Sequence, residues 1–229
     1  MKLSVIIPVY NEESTIAEVI RRVKNVRIDG VDKEIIVADD GSTDRTSSII
    51  ADSQRDGFVI KVHTSLINLG KAAAVRFGLE YATGDVVIIQ DADLELNPVE
   101  YVKLLEPILN GTANVVYGSR FLNKNTNIPI VTRLANRFLT ILGNVIFGGG
   151  LTDMETAYKV FKRDVTNQIS LRSVGFEFDA EITAKILLAG NQIHEIPITY
   201  NPRNKIEGKK VSWKDGLKTI YILLKCRFG

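Results

Sequence analysis

The chain has few of the residues on which disulfide-rich and zinc-binding proteins depend. Its 229 residues include one cysteine, Cys226, and two histidines, His63 and His194. One cysteine excludes an internal disulfide framework and a cysteine-based zinc site, and two distant histidines argue against a histidine metal site. No uninterrupted apolar run reaches the ~18 residues that a membrane-spanning helix needs. No signal peptide is expected, because Met1 and Lys2 lead directly into a strand pattern.

The chain also lacks a strong charge of one sign. Its net charge is +2, and its 45% hydrophobic and 24% charged residues are an ordinary globular balance. Nothing in this balance requires a nucleic-acid partner. The exception is residues 201–229, where eight Lys or Arg face only Glu207 and Asp215, a net charge of +6. Each such cation gains ~1 kcal/mol near anionic lipid, so the segment favours a membrane surface as a partner.

Strand and helix patterns alternate along the chain. Strand patterns cover 3–9, 34–38, 58–63, 86–90, 114–118 and 192–200, and helix patterns cover 13–26, 42–55, 71–82, 97–109, 129–147, 178–188 and 212–227. Ser42 or Thr43 is a candidate N-cap, Asn97 is a second with Pro98 after it, and Ser212 is a third. The alternation predicts one α/β domain with a central, mostly parallel sheet flanked by helices.

The most informative motif is a strand that ends in two acids. Val86–Ile89 is a run of four β-branched residues, which predicts a strand covered on both faces. Asp91 and Asp93 follow at its carboxyl end, where open α/β sheets bind their ligands. Two carboxylates this close need a cation between them or a raised pKa. Hard oxygen ligands suit Mg²⁺ or Mn²⁺, so the motif predicts a metal site for a phosphate-bearing ligand.

Other strand ends carry polar residues as well. The first strand runs into 8–12, which lacks the glycine pattern of a dinucleotide-binding turn, and the second runs into 39–44. A fifth strand ends at Arg120, and Asn201–Val211 predicts a basic loop. Each motif alone has an ordinary explanation, such as a capped turn or a surface ion pair. Their joint occurrence at one edge of a parallel sheet favours a binding site.

The order and spacing of these motifs resemble the inverting family 2 glycosyltransferases of the GT-A fold, which is Rossmann-like. The resemblance rests on Pro8–Glu12 (P-x-Y-N-E), Asp39–Asp44 (D-D-G-S-x-D), Asp91–Asp93 (D-A-D) and Gly118–Arg120 (G-S-R). Later segments resemble the polyprenyl-phosphate sugar transferases, which include dolichyl-phosphate mannosyltransferases and their glucosyl relatives. These segments are Asp153–Lys159, Phe176–Phe178 and Arg203–Lys210. The similarity covers nearly the whole chain.

The resemblance implies a role for each matching residue. The nucleotide-sugar site would comprise Pro8, Tyr10, Glu12, Asp39, Asp40, Lys71, Ala92, Lys209 and Lys210. The catalytic set would comprise Asp91, Asp93, Arg120 and Arg203, and the Mg²⁺ or Mn²⁺ ligands Asp91, Asp93 and Glu95. Close relatives often have Gln where this chain has Glu95. Lys209 and Lys210 would close over the donor or receive the acceptor's phosphate, although a solvated loop is an alternative.

The reaction implied is transfer of a hexose from GDP-mannose or UDP-glucose to a polyprenyl phosphate, with inversion at the anomeric carbon. A phosphate monoester has a second pKa of about 6, so this acceptor needs no strong base, whereas a sugar hydroxyl does. Within a single domain, 1–229, we expect residues 1–120 to bind the donor and residues 121–229 to bind the acceptor. Three alternatives stay open: a saccharide hydroxyl acceptor, a sugar-phosphate nucleotidyltransferase, and a binding module without activity.

The helices predicted at 129–147 and 212–227 suggest where the protein works. Both mix Leu, Ile and Phe with Arg or Lys, as helices that lie in a membrane interface do, although core-facing helices can share this pattern. We therefore expect a peripheral protein on the cytoplasmic face of a membrane, or the cytoplasmic part of a longer membrane protein. The pattern assigns no oligomeric state.

Overall fold

A computed structural model describes residues 1–55, 60–123, 128–202 and 213–229. Its strands are β1 (Lys2–Val9), β2 (Asp32–Asp39), β3 (Ile60–Thr64), β4 (Val86–Ile89), β5 (Val115–Ser119), β6 (Lys159–Lys162) and β7 (Ile193–Pro197). Within the described residues they form one seven-stranded sheet in the order β3-β2-β1-β4-β6-β5-β7. The predicted mostly parallel α/β sheet is thereby confirmed.

Helices cover both faces of the sheet. They are α1 (Ile16–Asn25), α2 (Thr46–Gln54), α3 (Lys71–Tyr81), α4 (Tyr101–Leu109), α5 (Ile130–Phe147), α6 (Arg163–Asn167), α7 (Phe178–Leu188) and α8 (Trp213–Phe228). Alternate residues of β1 enter two cores: Leu3, Val5 and Ile7 pack with α1 and α4, whereas Ile6 packs with α3 and α7. This double burial explains why β1 is apolar on both faces.

The strand order reverses beside β1. β1 pairs in parallel with β2 on one side and with β4 on the other, and β3 continues outward from β2. Such a reversal opens a crevice at the carboxyl ends of the strands, because the flanking loops diverge there. The acid pair Asp91 and Asp93 follows β4 at this crevice.

The strand β6 was not predicted from the sequence. It runs antiparallel to both β4 and β5 in the middle of the sheet. The pattern was missed because these four residues begin and end with lysine. Lys159 is nevertheless buried, where its ammonium pairs with Asp179 and donates to Thr156 O. Antiparallel direction places the residues that precede β6 at the carboxyl ends of β4 and β5, next to the crevice.

The predicted start of α2 was wrong. Neither Ser42 nor Thr43 caps the helix, because both bind the loop after β1: Ser42 Oγ accepts from Asn11 N at 3.0 Å, and Thr43 N donates to Asn11 Oδ1 at 2.8 Å. Asp44 Oδ1 instead accepts from the backbone N of Thr46, the first residue of α2, at 2.9 Å. The motif therefore joins the loops after β1 and β2.

Other predicted boundaries agree with the structure or lie outside it. The range of α7 was predicted correctly, and Asn97 Oδ1 accepts from Val99 N at 3.2 Å, with Pro98 beginning a 3-10 turn before α4. The candidate cap Ser212, the first residues of the predicted strand 58–63 and most of the predicted basic loop lie outside the described residues.

Helices α5 and α8 form a further layer over α7. Leu139 of α5 and Leu223 of α8 pack with Ala180 and Ala184 of α7. Because both helices rest on α7, their opposite faces point away from the sheet. The exposed apolar residues there are Ile130, Val131, Leu134, Phe138, Ile141 and Val145 of α5 and Leu217, Tyr221, Leu224 and Phe228 of α8, here called the outer apolar face.

Candidate active site

The acid pair is held in place by a buried glutamine. Gln90 Oε1 accepts hydrogen bonds from Tyr101 Oη at 2.7 Å and Tyr158 Oη at 2.8 Å, and Gln90 Nε2 donates to the backbone O of Asp91 at 3.0 Å. The backbone N of Gln90 also donates to Ile6 O in β1. The start of the Asp91–Asp93 segment is thus fixed to the sheet before any ligand binds.

A lysine neutralises part of this acidic site. Lys71, the first residue of α3, places Nζ 2.9 Å from Asp91 Oδ1 and 3.9 Å from Asp179 Oδ2. Burial lowers the pKa of the Lys71 ammonium, but the neighbouring carboxylates outweigh burial and hold this pKa above its ordinary value. Lys71 is therefore a cation at the position where the sequence predicts the donor's diphosphate.

The predicted metal ligands are not assembled as a closed site. Among the described residues, no group of three or more His, Cys, Asp or Glu side chains is placed to hold a metal. Asp93 Oδ1 accepts from Glu95 N at 3.2 Å, and Glu95 Oε2 accepts from Tyr200 Oη at 2.9 Å. Mg²⁺ is commonly held by one or two carboxylates together with water and substrate phosphates. Asp91 and Asp93 fit that ligand set, whereas the part of Glu95 as a third ligand stays a prediction.

The predicted nucleotide pocket shares this edge of the sheet. Asp39 Oδ1 accepts from Ser42 N at 3.0 Å, within the turn that follows β2. The two carboxylate oxygens of Asp40 accept from Leu69 N at 2.8 Å and Gly70 N at 2.6 Å. Asp40 therefore fixes the loop that carries Lys71's helix, and its predicted contact with the donor stays a prediction.

The remaining predicted donor residues lie beside these acids. Val9 of β1 is in register with the last residue of β2, so Tyr10 and Glu12 follow β1 at the same edge. Pro8, Glu12 and Ala92 are buried, and Tyr10 is half-buried. The structure thus brings the predicted donor residues to the crevice, while their contacts with a nucleotide stay predictions.

Arg120 is engaged inside the protein. Its Nε and Nη2 donate to the two oxygens of Asp153, each at 2.7 Å, and Nη2 also donates to Glu155 O at 2.9 Å. Burial lowers the pKa of the guanidinium, but Asp153 outweighs burial and raises it above its ordinary value. The sequence predicts that Arg120 contacts phosphate; the structure places it in a bidentate ion pair, so phosphate contact stays a prediction.

Residues before β6 complete a charged cluster that sequence reasoning missed. Lys159 Nζ lies 2.5 Å from Asp179 Oδ1, beside Arg120 and Asp153. Glu155 Oε1 is buried without a hydrogen-bond partner among the described residues. Burial, and then the charge of Asp179, raise the pKa of Glu155 to about 8. The sequence did contain a signal, since charged residues alternate with buried Met154 and Thr156.

A cavity of about 420 Å³ lies next to this cluster. It is lined by Phe121, Asn123, Arg133, Arg137, Ile141, Leu151 and Thr152. Arg133 and Arg137 stand one helical turn apart on α5, so both guanidinium groups can reach one ligand. The lining residues Phe121 and Thr152 directly follow Arg120 and precede Asp153 in the chain. The sequence indicated an amphipathic helix here but not a cavity with two arginines.

Three predicted site residues, Arg203, Lys209 and Lys210, lie outside the described residues. Asn201, two residues before Arg203, is held against the acid-pair loop, because Asn201 N donates to Glu95 O at 2.9 Å.

Solved structures share this fold. Glucosyl-3-phosphoglycerate synthase from Mycobacterium tuberculosis, in complex with Mn²⁺, uridine diphosphate and glucosyl-3-phosphoglycerate, superposes with a TM-score of 0.74 at 22% identity, over 99% of this chain and 80% of that one. The fold and the acid pair at its crevice define a GT-A-fold glycosyltransferase.

More narrowly, the chain belongs to glycosyl transferase family 2, whose family model matches residues 4–170. Dolichol-phosphate mannosyltransferase of Pyrococcus furiosus is 32% identical over 98% of this chain and 64% of its own length. Low-salt glycan biosynthesis hexosyltransferase Agl6 of Haloferax volcanii is 33% identical over 97% of this chain and 53% of its own length. The chain thus spans between half and two thirds of the length of these relatives. Membership of the family confirms the resemblance to family 2 glycosyltransferases seen in the motifs.

Proposed function

We propose that this protein transfers a hexose from GDP-mannose or UDP-glucose to a polyprenyl phosphate at a membrane surface, using Mg²⁺ or Mn²⁺. The observation that carries the proposal is the position of the cavity with Arg133 and Arg137. The cavity is lined by Phe121 and Thr152, the chain neighbours of Arg120 and Asp153, and by α5, the helix that contributes most of the outer apolar face. A lipid phosphate needs this combination of an anion site and an apolar surface.

The arginines of the cavity suit the head group of such an acceptor. Guanidinium groups bind phosphate oxygens in pairs, and two of them one turn apart can offset a dianion. Phe121, Ile141 and Leu151 also line the cavity and offer apolar contact to the first isoprene unit. The cavity supports a lipid-phosphate acceptor independently of the Pyrococcus relative, whose name also favours such an acceptor.

The donor's diphosphate is expected between Asp91, Asp93 and Lys71. A divalent metal, when bound, would offset the charge that develops on the leaving diphosphate. Lys71, which pairs with Asp91, would add a second positive charge, and Gln90 would keep the acid pair oriented. The saccharide-hydroxyl alternative would need a side chain to act as base at neutral pH, and a phosphate acceptor does not.

The outer apolar face supports a membrane surface as partner. Its α5 residues are between 52% and 80% exposed. Among the described residues, α5 is also the one helix that could cross a membrane by length and composition, with a mean hydropathy of 1.3 over 18 residues. Because α5 packs on α7 and α8 and carries Arg133 and Arg137 over the cavity, we propose that it lies along the membrane surface instead.

The test is transfer of labelled hexose to a short-chain polyprenyl phosphate with Mn²⁺ and each nucleotide-sugar in turn. We expect an acid-labile labelled lipid with one of the donors. Asp93→Asn should abolish it and should also abolish the Mn²⁺-dependent thermal shift that the matching nucleoside diphosphate causes in the unmodified protein. Asp29→Asn, an exposed acid near the amino ends of the strands, serves as the matched control. An acid-stable saccharide product would instead support the hydroxyl alternative.

A further inference from the structure

Glu155 is an acid without an assigned role in the segment that joins Thr152 of the cavity wall to β6. Its backbone O accepts from Arg120 Nη2 at 2.9 Å, and the same segment includes Thr152 of the cavity wall. Its Oε1 is buried and has no hydrogen-bond partner among the described residues. A buried polar atom costs free energy until something binds it, so this carboxyl is a candidate for contact with a ligand.

The charges around Glu155 are already paired with one another. Arg120 after β5 binds Asp153 in Glu155's own segment, and Lys159 of β6 binds Asp179 of α7. After burial, these four groups are the largest influences on the pKa of Glu155. An ionised Glu155 would therefore be a surplus carboxylate. Burial first, and Asp179 second, raise its pKa to about 8, so the carboxyl holds its proton at neutral pH.

We infer that Glu155 binds the acceptor's phosphate as an uncharged hydrogen-bond donor. The inference rests on the proposed function and adds a residue to the acceptor's phosphate site. An ionised carboxylate beside the acceptor's phosphate would repel it. A protonated carboxyl donates a hydrogen bond to a phosphate oxygen instead, and its proton stays on Glu155 throughout the transfer.

The opposite role for Glu155 is that of a general base for a hydroxyl acceptor. A base must lose its proton before it can accept another, so that role requires the ionised form. Glutamine separates the two roles, because its amide remains a neutral hydrogen-bond donor and cannot act as a base. The structure favours the neutral donor, since the cavity lined by Thr152 of the same segment holds two arginines suited to an anion.

The experiment measures kcat and KM for a short-chain polyprenyl phosphate from about pH 6 to about pH 9.5. It uses the full chain and the nucleotide-sugar that is active in the transfer assay described under the proposed function. For the unmodified protein, kcat/KM should fall as the pH rises through about 8, the value to which the Glu155 pKa is raised. Glu155→Gln should keep activity within about threefold at neutral pH and lose this fall. Glu155→Ala should lose roughly ten- to a hundredfold in kcat/KM, as expected for a lost hydrogen bond to a charged group.

The controls separate this inference from the proposed function. Glu106→Gln changes an exposed acid on α4 and should leave the pH profile unchanged. If the unmodified protein glycosylates no polyprenyl phosphate, the proposed function fails. If it does so, and Glu155→Gln is either as inactive as Glu155→Ala or retains the wild-type pH profile, the role of Glu155 alone is refuted. Far-UV circular dichroism of each variant confirms that it is folded.

Discussion

Arg120 and Asp153, which precede and follow cavity-lining residues in the chain, form a buried bidentate ion pair that can be tested one residue at a time. Asp153 is 0% exposed, so Arg120→Ala would leave a buried carboxylate without its cation. Losing one partner of a buried pair costs about 3–5 kcal/mol, and we expect a loss of unfolding free energy in this range. Arg120→Lys should recover only part of it, because an ammonium cannot reproduce the two parallel hydrogen bonds.

Urea unfolding measures this effect, and an exposed pair supplies the control. Arg45 and Glu13 form an ion pair at 3.2 Å whose side chains are 81% and 39% exposed. Arg45→Ala should therefore cost at most about 1 kcal/mol. Equal midpoints and slopes for Arg45→Ala and Arg120→Ala would show that burial does not strengthen the Arg120 pair.

Individual site residues were predictable from sequence to different degrees. Asp91 and Asp93 were predictable, because a strand covered on both faces must end at an edge and the acids follow at once. The contact of Lys71 with Asp91 was not, because it depends on how α3 packs beside β4. Glu155 was visible in the sequence, but its raised pKa results from burial beside Asp179, which is 24 residues away in the chain.

At the scale of single elements, the start of α3 depends on Gly70. Its φ is +102°, and a Cβ there would lie 2.2 Å from the backbone O of Val174. Gly70→Ala should therefore lower the unfolding free energy by more than the ~1–2 kcal/mol that left-handed backbone costs a residue with a Cβ. It should also weaken nucleoside diphosphate binding, since Lys71 is the next residue.

Gly111→Ala separates the two contributions to this prediction. Gly111 has a φ of +78°, but a Cβ would meet nothing within 4 Å. We expect this variant to show the backbone cost alone, with unchanged nucleotide binding by isothermal titration calorimetry. Similar losses in both variants would mean that the segment around Val174 yields to the added methyl group.

The outer apolar face makes a second prediction at this scale. Phe138→Asp in α5 should weaken binding to liposomes that contain anionic lipid roughly tenfold or more, because a buried aromatic ring contributes about 1.5–3 kcal/mol. Val102→Asp in α4 is matched in exposure, at 52% against 58%, but lies on another part of the surface. Sedimentation with liposomes should distinguish them, and equal binding by both variants would count against the membrane role of α5.

The pH dependence of stability is a property of the whole molecule, because ionisable groups in different parts of the fold contribute to it. The pKa of Glu155 is raised from its ordinary value of 4.5 to about 8 in the folded protein. Between those values the unfolded chain holds fewer protons than the folded one, so stability falls as the pH rises from about 4.5 to about 8. Glu155→Gln should reduce this fall in the unfolding free energy, and Glu195, whose pKa burial also raises, should account for part of what remains.

Glu34 has the opposite effect on the pH dependence of stability, and its effect falls at lower pH. Burial raises its pKa, but hydrogen bonds from Ser4 and Thr83 outweigh burial and hold the pKa below its ordinary value. Its contribution is present above the unfolded pKa and is lost as the pH falls through the folded one. We therefore expect the unfolding free energy of the wild-type protein to be greatest at about pH 5. For Glu155→Gln we expect a broader maximum.

Most of the architecture was predictable, because the period of the apolar residues and the length of each segment indicate whether it forms a strand or a helix. The apolar strands and the amphipathic helices each show the period of their own structure, and short loops left few ways to connect them. The strand β6 broke this reasoning, because Lys159 and Lys162 hide a short strand whose identity depends on partners elsewhere in the chain. The cavity was also unpredictable, since it forms only when α5 lies against the loop after β5.

The position of β6 has a consequence for how the protein emerges from the ribosome. One edge of β4 pairs with β1, and the other edge pairs with β6. Among the described strands, β5 pairs only with β6 and β7. A nascent chain that has reached residue 120 therefore holds an open strand edge and one strand without a neighbour. Such edges invite pairing with other chains, and β4 and β5 cannot be joined in one sheet until residues 159–162 are synthesised. The predicted division into a donor half, 1–120, and an acceptor half, 121–229, is thus not a boundary in the order of folding.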